Sequence, residues 1–227
     1  MKYYKYFILT VAIIALDQAS KMLVYYNMNL YEEINVIGQW FRIHFILNKG
    51  IAFGMSLDWP YSKLILTIFR LIASIGGIYF LYKYAKKGLH QGALWAGALI
   101  LAGAIGNLID SLFYGVWLDN APYDAPFNLF NGQVIDMLYF PLFEFTWPSW
   151  VPFVGGQYFH FFNAIFNIAD SSIFIGVAIL LIFQKTFFPE QHNKKSKDAL
   201  PVDEQSMANF SLEQTISGTE EDCCIPS

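Results

Sequence analysis

The chain has 227 residues, 56% of them apolar and 14% charged, with a mean hydropathy of +0.39. Ordinary soluble domains are nearer a quarter charged, so this is the composition of a membrane protein. The net charge of −4 arises largely from an acidic tail, and nothing resembles the basic footprint of a nucleic-acid-binding protein.

Four apolar stretches reach the roughly 20 residues a bilayer crossing requires. They lie at about 6–25, 62–82, 92–113 and 162–183, and they leave outer loops at about 26–61 and 114–161. The first follows Lys2 and Lys5, as a signal peptide would. Asp17 and Lys21 interrupt its second half, however, and no small-x-small cleavage site follows, so it reads as a retained helix. These two residues stand at i and i+4, a spacing that allows an ion pair. Taken alone, the pair reads as structural rather than functional.

In the first outer loop, Trp40–Leu47 alternates apolar and polar residues and is rich in β-branched and aromatic types, which predicts a strand of a small sheet. Gly50 and Gly54 then bracket a tight segment that begins at Asn48. The second and third apolar stretches are joined through Lys83, Lys86 and Lys87, and the segment after the fourth holds Lys185, Lys194, Lys195 and Lys197. The loop at 114–161 contains no Lys or Arg. The positive-inside rule therefore places both termini in the cytoplasm and both long loops outside.

In the third stretch Gly103, Asn107 and Asp110 share one helical face. A packing seam explains the glycines. It explains Asp110 less well, which is expected to accept hydrogen bonds that orient a site. The second outer loop is strongly aromatic, as in Phe143–Trp150, and fits either the headgroup region or a folded cap. It also carries Asp136, ahead of an apolar segment that is expected to return toward the membrane. In the fourth stretch Asn167, Asp170 and Ser171 share a face, with Asp170 inside the apolar run. An ionisable group at such depth faces a partner or a water-filled site rather than lipid. Two aspartates held close cannot both stay ionised, and a shared proton makes one an acid and the other a base.

Other chemistries find no support. His44, His90, His160 and His192 are scattered and assigned to both sides of the membrane, and there is no Gly-x-Ser-x-Gly elbow or P-loop. The adjacent Cys223 and Cys224 lie in a polar segment, 189–227, that is expected to be a disordered cytoplasmic tail behind a transmembrane domain at 1–188.

Five motifs in order resemble the lipoprotein signal peptidases, the signal peptidase II family of bacterial membrane aspartyl proteases. They are Leu16–Lys21, Asn48–Gly54, Gly103–Asp110, Val134–Asp136 and Phe166–Ser171, and the resemblance covers about residues 5–185. It implies an all-α polytopic protein of four transmembrane helices with a small extracytoplasmic β-cradle and an interfacial segment. It implies cleavage of prolipoproteins just before a diacylglyceryl-modified cysteine, with Asp136 and Asp170 catalytic. Asp17, Lys21, Asn48, Gly50, Asn107, Asp110, Asn167 and Ala169 would support or line the site. The expected protein is a monomer of the bacterial inner membrane, in contact with lipid and its lipoprotein substrates, and needs no cofactor. The family usually has an arginine directly after the aspartate matched by Asp110. Here Ser111 stands there, so a cation is missing, and the second loop is longer than usual. Two other readings are a small proton-coupled transporter relaying through Asp110 and Asp170, and a non-catalytic scaffold of the same fold.

Overall fold

Helix α1 (Tyr4–Asn27) buries one narrow polar face and turns the rest outward. Asp17 and Lys21 are fully buried, whereas Leu16 and Leu23 are 59% and 67% exposed. That is the inverse of a soluble helix and suits a lipid exterior. The computed structural model describes residues 3–50, 61–141, 143–161 and 164–188. The Ile51–Gly54 part of the second motif and the tail at 189–227 lie outside the described residues.

After α1 come β1 (Glu33–Ile37) and β2 (Phe41–Asn48), then α2 (Ser62–Lys86) and α3 (Gln91–Ile109). The helix begun by α3 continues through one π-turn at Asp110–Tyr114 into α4 (Gly115–Trp117). The second outer loop supplies β3 (Val134–Tyr139), β4 (Phe143–Thr146) and β5 (Tyr158–Phe161), followed by β6 (Ile165–Phe166) and α5 (Ile168–Ile182). Residues from Phe183 onward form a separate unit, whose described part holds a short helix α6 (Gln184–Phe187).

The expectation of an all-α protein with four long helices needs two corrections. Three helices are long and apolar enough to cross a membrane, namely Tyr4–Asn27, Ser62–Lys86 and Gln91–Trp117. The expected fourth, 162–183, is instead strand β6 followed by a 15-residue apolar helix. The β-structure is also more extensive than expected. An antiparallel sheet runs in the order β1-β2-β3-β6, with a separate β4-β5 hairpin. Asp136 sits in β3, so the apolar segment around it is a nearly fully buried strand.

The helices meet through small residues. A Cβ added at Gly103 would strike the Ala169 carbonyl and lie 2.6 Å from Ile173 Cγ1 and 2.7 Å from Ser172 Oγ. At Gly176 it would lie 2.7 Å from the Ala96 carbonyl. This close approach brings the backbone of α5 against α3, and with it the first turn of α5 against Asn107. Gly103→Ala should therefore destabilise the folded protein by about 1–3 kcal/mol, the usual range for overpacking. Thermal unfolding in detergent measures it, and an unchanged midpoint would mean the seam is looser than its distances indicate.

Candidate active site

Asp136 reaches its position through strand pairing. Ile46 of β2 pairs with Asp136 of β3, and the register slips between Ile43 and Ile46. The extra residue is a β-bulge, a device that bends a strand and re-aims side chains. Asn48, two residues along β2 from Ile46, donates from Nδ2 to Asp136 Oδ2 at 2.8 Å. The Asn48 Oδ1 in turn accepts the Gly50 N–H at 2.7 Å, in a turn where Gly50 has φ +83°. That backbone conformation favours glycine.

Asp170 is placed by a helix cap. Asn167 precedes α5 and its Oδ1 accepts the Asp170 N–H at 2.8 Å, as an N-cap asparagine does. The same side chain donates from Nδ2 to Asp136 Oδ1 at 2.7 Å and to Asn107 Oδ1 at 3.1 Å. Asn107 Nδ2 donates to Asp170 Oδ1 at 2.7 Å. Two asparagines thus join the two aspartates, one on each. Asp136 is fully buried with both oxygens accepting amides, while Asp170 is half-buried. Among the described residues, Asp170 Oδ2 accepts no hydrogen bond. Burial first, and then the charge of Asp170, push the Asp136 carboxyl up to about 7, against the opposing hydrogen bonds of Asn48 and Asn167.

Beneath the pair lies a buried ionic cluster. Lys21 Nζ is 2.7 Å from Asp17 Oδ2, 2.7 Å from Asp110 Oδ2 and 3.1 Å from Asn107 Oδ1, so the ammonium pairs with two carboxylates and donates to one amide oxygen. Asp17 Oδ1 accepts the N–H of Ala169 at 2.9 Å, which satisfies one of the free donors of the first turn of α5. All ten residues singled out in the sequence therefore belong to one connected network. The π-turn opens at Asp110, and such turns often mark functional sites.

The sequence reading overlooked several partners. Gln18 Nε2 donates to Asp110 Oδ1 at 2.9 Å, and Tyr114 donates its hydroxyl to Gln18 Oε1 at 2.9 Å. Lys63, Thr67 and Arg70 share a face of α2. Lys63 is buried, with no hydrogen-bond partner for Nζ among the described residues. Thr67 Oγ1 donates to the Phe130 carbonyl at 2.9 Å. Arg70 Nη1 donates to Ser111 Oγ at 2.8 Å. The cation that Ser111 does not supply is thus brought to Ser111 by another helix. The signal was present, since a lone arginine within Ile68-Phe69-Arg70-Leu71-Ile72 is as costly in an apolar helix as an aspartate.

Comparison with known proteins gives a uniform result. A family model described as signal peptidase (SPase) II matches residues 9–186. The lipoprotein signal peptidase of Amoebophilus asiaticus (strain 5a2) is 41% identical over 184 residues, covering 80% of this chain and 78% of that protein. That of Porphyromonas gingivalis (strain W83) is 44% identical over 184 residues, covering 77% and 80%. A solved structure described as a bacterial membrane enzyme, obtained by the in meso method at 2.3 Å resolution, aligns with a TM-score of 0.54 and 26% identity. The alignment covers 82% of this chain and 92% of that one.

Proposed function

Since the chain belongs to the signal peptidase II family, proteases that remove signal peptides from prolipoproteins, we propose that Asp136 and Asp170 are the pair that cuts the peptide bond. The observation that carries this is the asparagine bridge: two carboxyl groups from different elements are held by Asn107 and Asn167 over one buried network.

The environments of the two aspartates favour a division of labour. Asp136 is buried and holds its proton up to about 7, so it is the acid that hydrogen-bonds the scissile carbonyl and protonates the departing amine. Asp170 stands in the first turn of α5, is only half-buried, and among the described residues keeps one carboxyl oxygen that accepts no hydrogen bond. It is the base that takes a proton from the attacking water. Asn48, Asn107 and Asn167 keep the carboxyl groups in this geometry, which supplies part of the rate by orientation.

The bond cut is the one before the lipid-modified cysteine, and the enzyme works as a monomer in the inner membrane with both termini cytoplasmic. Helix α5 then completes a fourth crossing from the level of the pair inward. Its 15 residues span roughly 22 Å, less than a full hydrocarbon core of about 30 Å, so Asp170 lies a little inside the outer boundary. The acyl chains of the substrate lie against the outward apolar faces of the helices at that height.

The pH profile tests the assignment. Activity should decline above about pH 7 as Asp136 loses its proton. Stability carries the same sign. The folded value is raised from 3.8 to about 7, so between those limits the folded state holds a proton that the unfolded chain has released. Stability should fall as pH rises through that window and level off above it, and Asp136→Asn should flatten the slope. Activity that climbs through pH 8–9 would assign the acid elsewhere. The primary experiment is cleavage of a diacylglyceryl-modified prolipoprotein by the purified protein in nanodiscs, with release of the intact signal peptide as the readout.

A further inference from the structure

Arg70 sits a third of the way along α2, in a stretch that is otherwise apolar and largely outward-facing, and its guanidinium turns inward to the site. It is held on two sides. Nη1 donates to Ser111 Oγ, which itself donates to the Asn107 carbonyl at 2.9 Å. On the other side the Asn48–Gly50 turn lies so close that a Cβ on Gly50 would be 3.1 Å from Nη2 and 3.3 Å from Nη1. The guanidinium is therefore wedged between the turn that supports Asp136 and the helix whose Asn107 supports Asp170.

It nevertheless closes on neither acid. A guanidinium has five N–H donors, and a structural arginine near carboxylates usually spends them in a two-pronged ion pair. Here the carboxylates of Asp110, Asp136 and Asp170 all act on Arg70 electrostatically, yet none makes an ion pair with it. Asp110 is taken by Lys21 and Gln18, Asp136 by Asn48 and Asn167, and Asp170 by Asn107. Beyond Ser111, Arg70 has no acceptor among the described residues. Donors left unmet at membrane depth are expensive, so the resting arrangement favours a ligand that brings acceptors. An extended peptide brings one carbonyl oxygen per residue.

We propose that Arg70 is a substrate-binding residue, the N–H groups that meet no acceptor among the described residues taking backbone carbonyl oxygens of the prolipoprotein beside the bond to be cut. The inference rests on the assignment of Asp136 and Asp170 given above. Arg70 thereby holds the peptide toward the dyad from the α2 side. Lysine cannot replace it, because a single ammonium lacks the planar fork.

The test uses the full chain in nanodiscs. Binding of a fluorescent, diacylglyceryl-modified peptide is measured in the Asp136→Asn background, where it stays uncut, with and without Arg70→Ala. Thermal unfolding is followed in parallel. The expected result is a roughly 10- to 100-fold loss of affinity, the range for a charged hydrogen bond, with the unfolding midpoint little changed. In the otherwise intact enzyme the same substitution should act mainly on KM. Unchanged affinity in a folded Arg70→Ala protein overturns the proposal. If Arg70→Ala does not fold, Arg70→Lys decides: weakened binding supports the fork, and full affinity overturns it. Cleavage by the unmodified enzyme and its loss in Asp136→Asn test the dyad separately, so a failure there is told apart from a failure at Arg70.

Discussion

Asp136→Asn and Asp170→Asn should each leave a folded protein that scarcely cuts a lipid-modified prolipoprotein, with turnover reduced by on the order of 10²–10⁴-fold. Asparagine keeps the volume of each side chain and much of its hydrogen bonding. At position 170 Asn107 still meets an oxygen; at position 136 one of the two amide donors, Asn48 or Asn167, keeps its acceptor while the other faces the new NH2. What is lost is the ability to hold or release a proton. Because the two groups act as a unit, the double substitution should cost little more than either single one. Turnover and thermal unfolding, measured on the same preparations in nanodiscs, check this. A well-folded single variant that retained near-normal turnover would remove that aspartate from the mechanism.

Lys21→Met should do its damage to stability instead, by about 3–5 kcal/mol. The ammonium is the shared partner of Asp17 and Asp110, and all three groups are fully buried. Removing the cation strands two carboxylates in a site that water does not reach. Turnover per folded molecule should fall less than in either dyad variant, since Lys21 hydrogen-bonds neither aspartate of the pair and reaches them through Asn107 and through Asp17 on Ala169. The triple substitution Asp17→Asn, Lys21→Met, Asp110→Asn removes the stranded charges together and should recover much of the lost stability. Chemical denaturation in detergent separates these outcomes. If Lys21→Met were as stable as the parent, the cluster would be a bystander.

The residues of the site were legible because each is out of place where it stands. An aspartate inside an apolar run, or an asparagine on the small-residue face of a helix, is conspicuous in one dimension. Their partners were less so. Gln18 and Tyr114 are ordinary residues at a membrane boundary, and only the fold sets them 96 positions apart in sequence yet in contact. Arg70 carried the same signal of cost as Asp170 but matched no motif, and its partner Ser111 lies 41 residues away. The strand around Asp136 was missed for a different reason. Val134-Ile135-Asp136-Met137-Leu138-Tyr139 is a short, mostly apolar run, and a fully buried strand of this kind shows no alternation to separate it from a helix. The fourth apolar stretch was drawn as one long helix because hydropathy averaged over a window bridges Asn167 and Asp170 and does not register the change from strand β6 to helix α5.

The Asp17–Lys21 contact has a consequence for how the protein is made. Synthesis delivers α1 to the bilayer long before Asp110 exists and 152 residues ahead of the Ala169 amide that Asp17 finally binds. During that interval the first helix has only its own side chains with which to neutralise charge in hydrocarbon. An acid and a base one turn apart do so within the helix itself, so the segment can enter the membrane early and wait. When α3 and then α5 arrive, the pair opens to a third partner and a fourth, and the site is complete only once the last of these helices is in place.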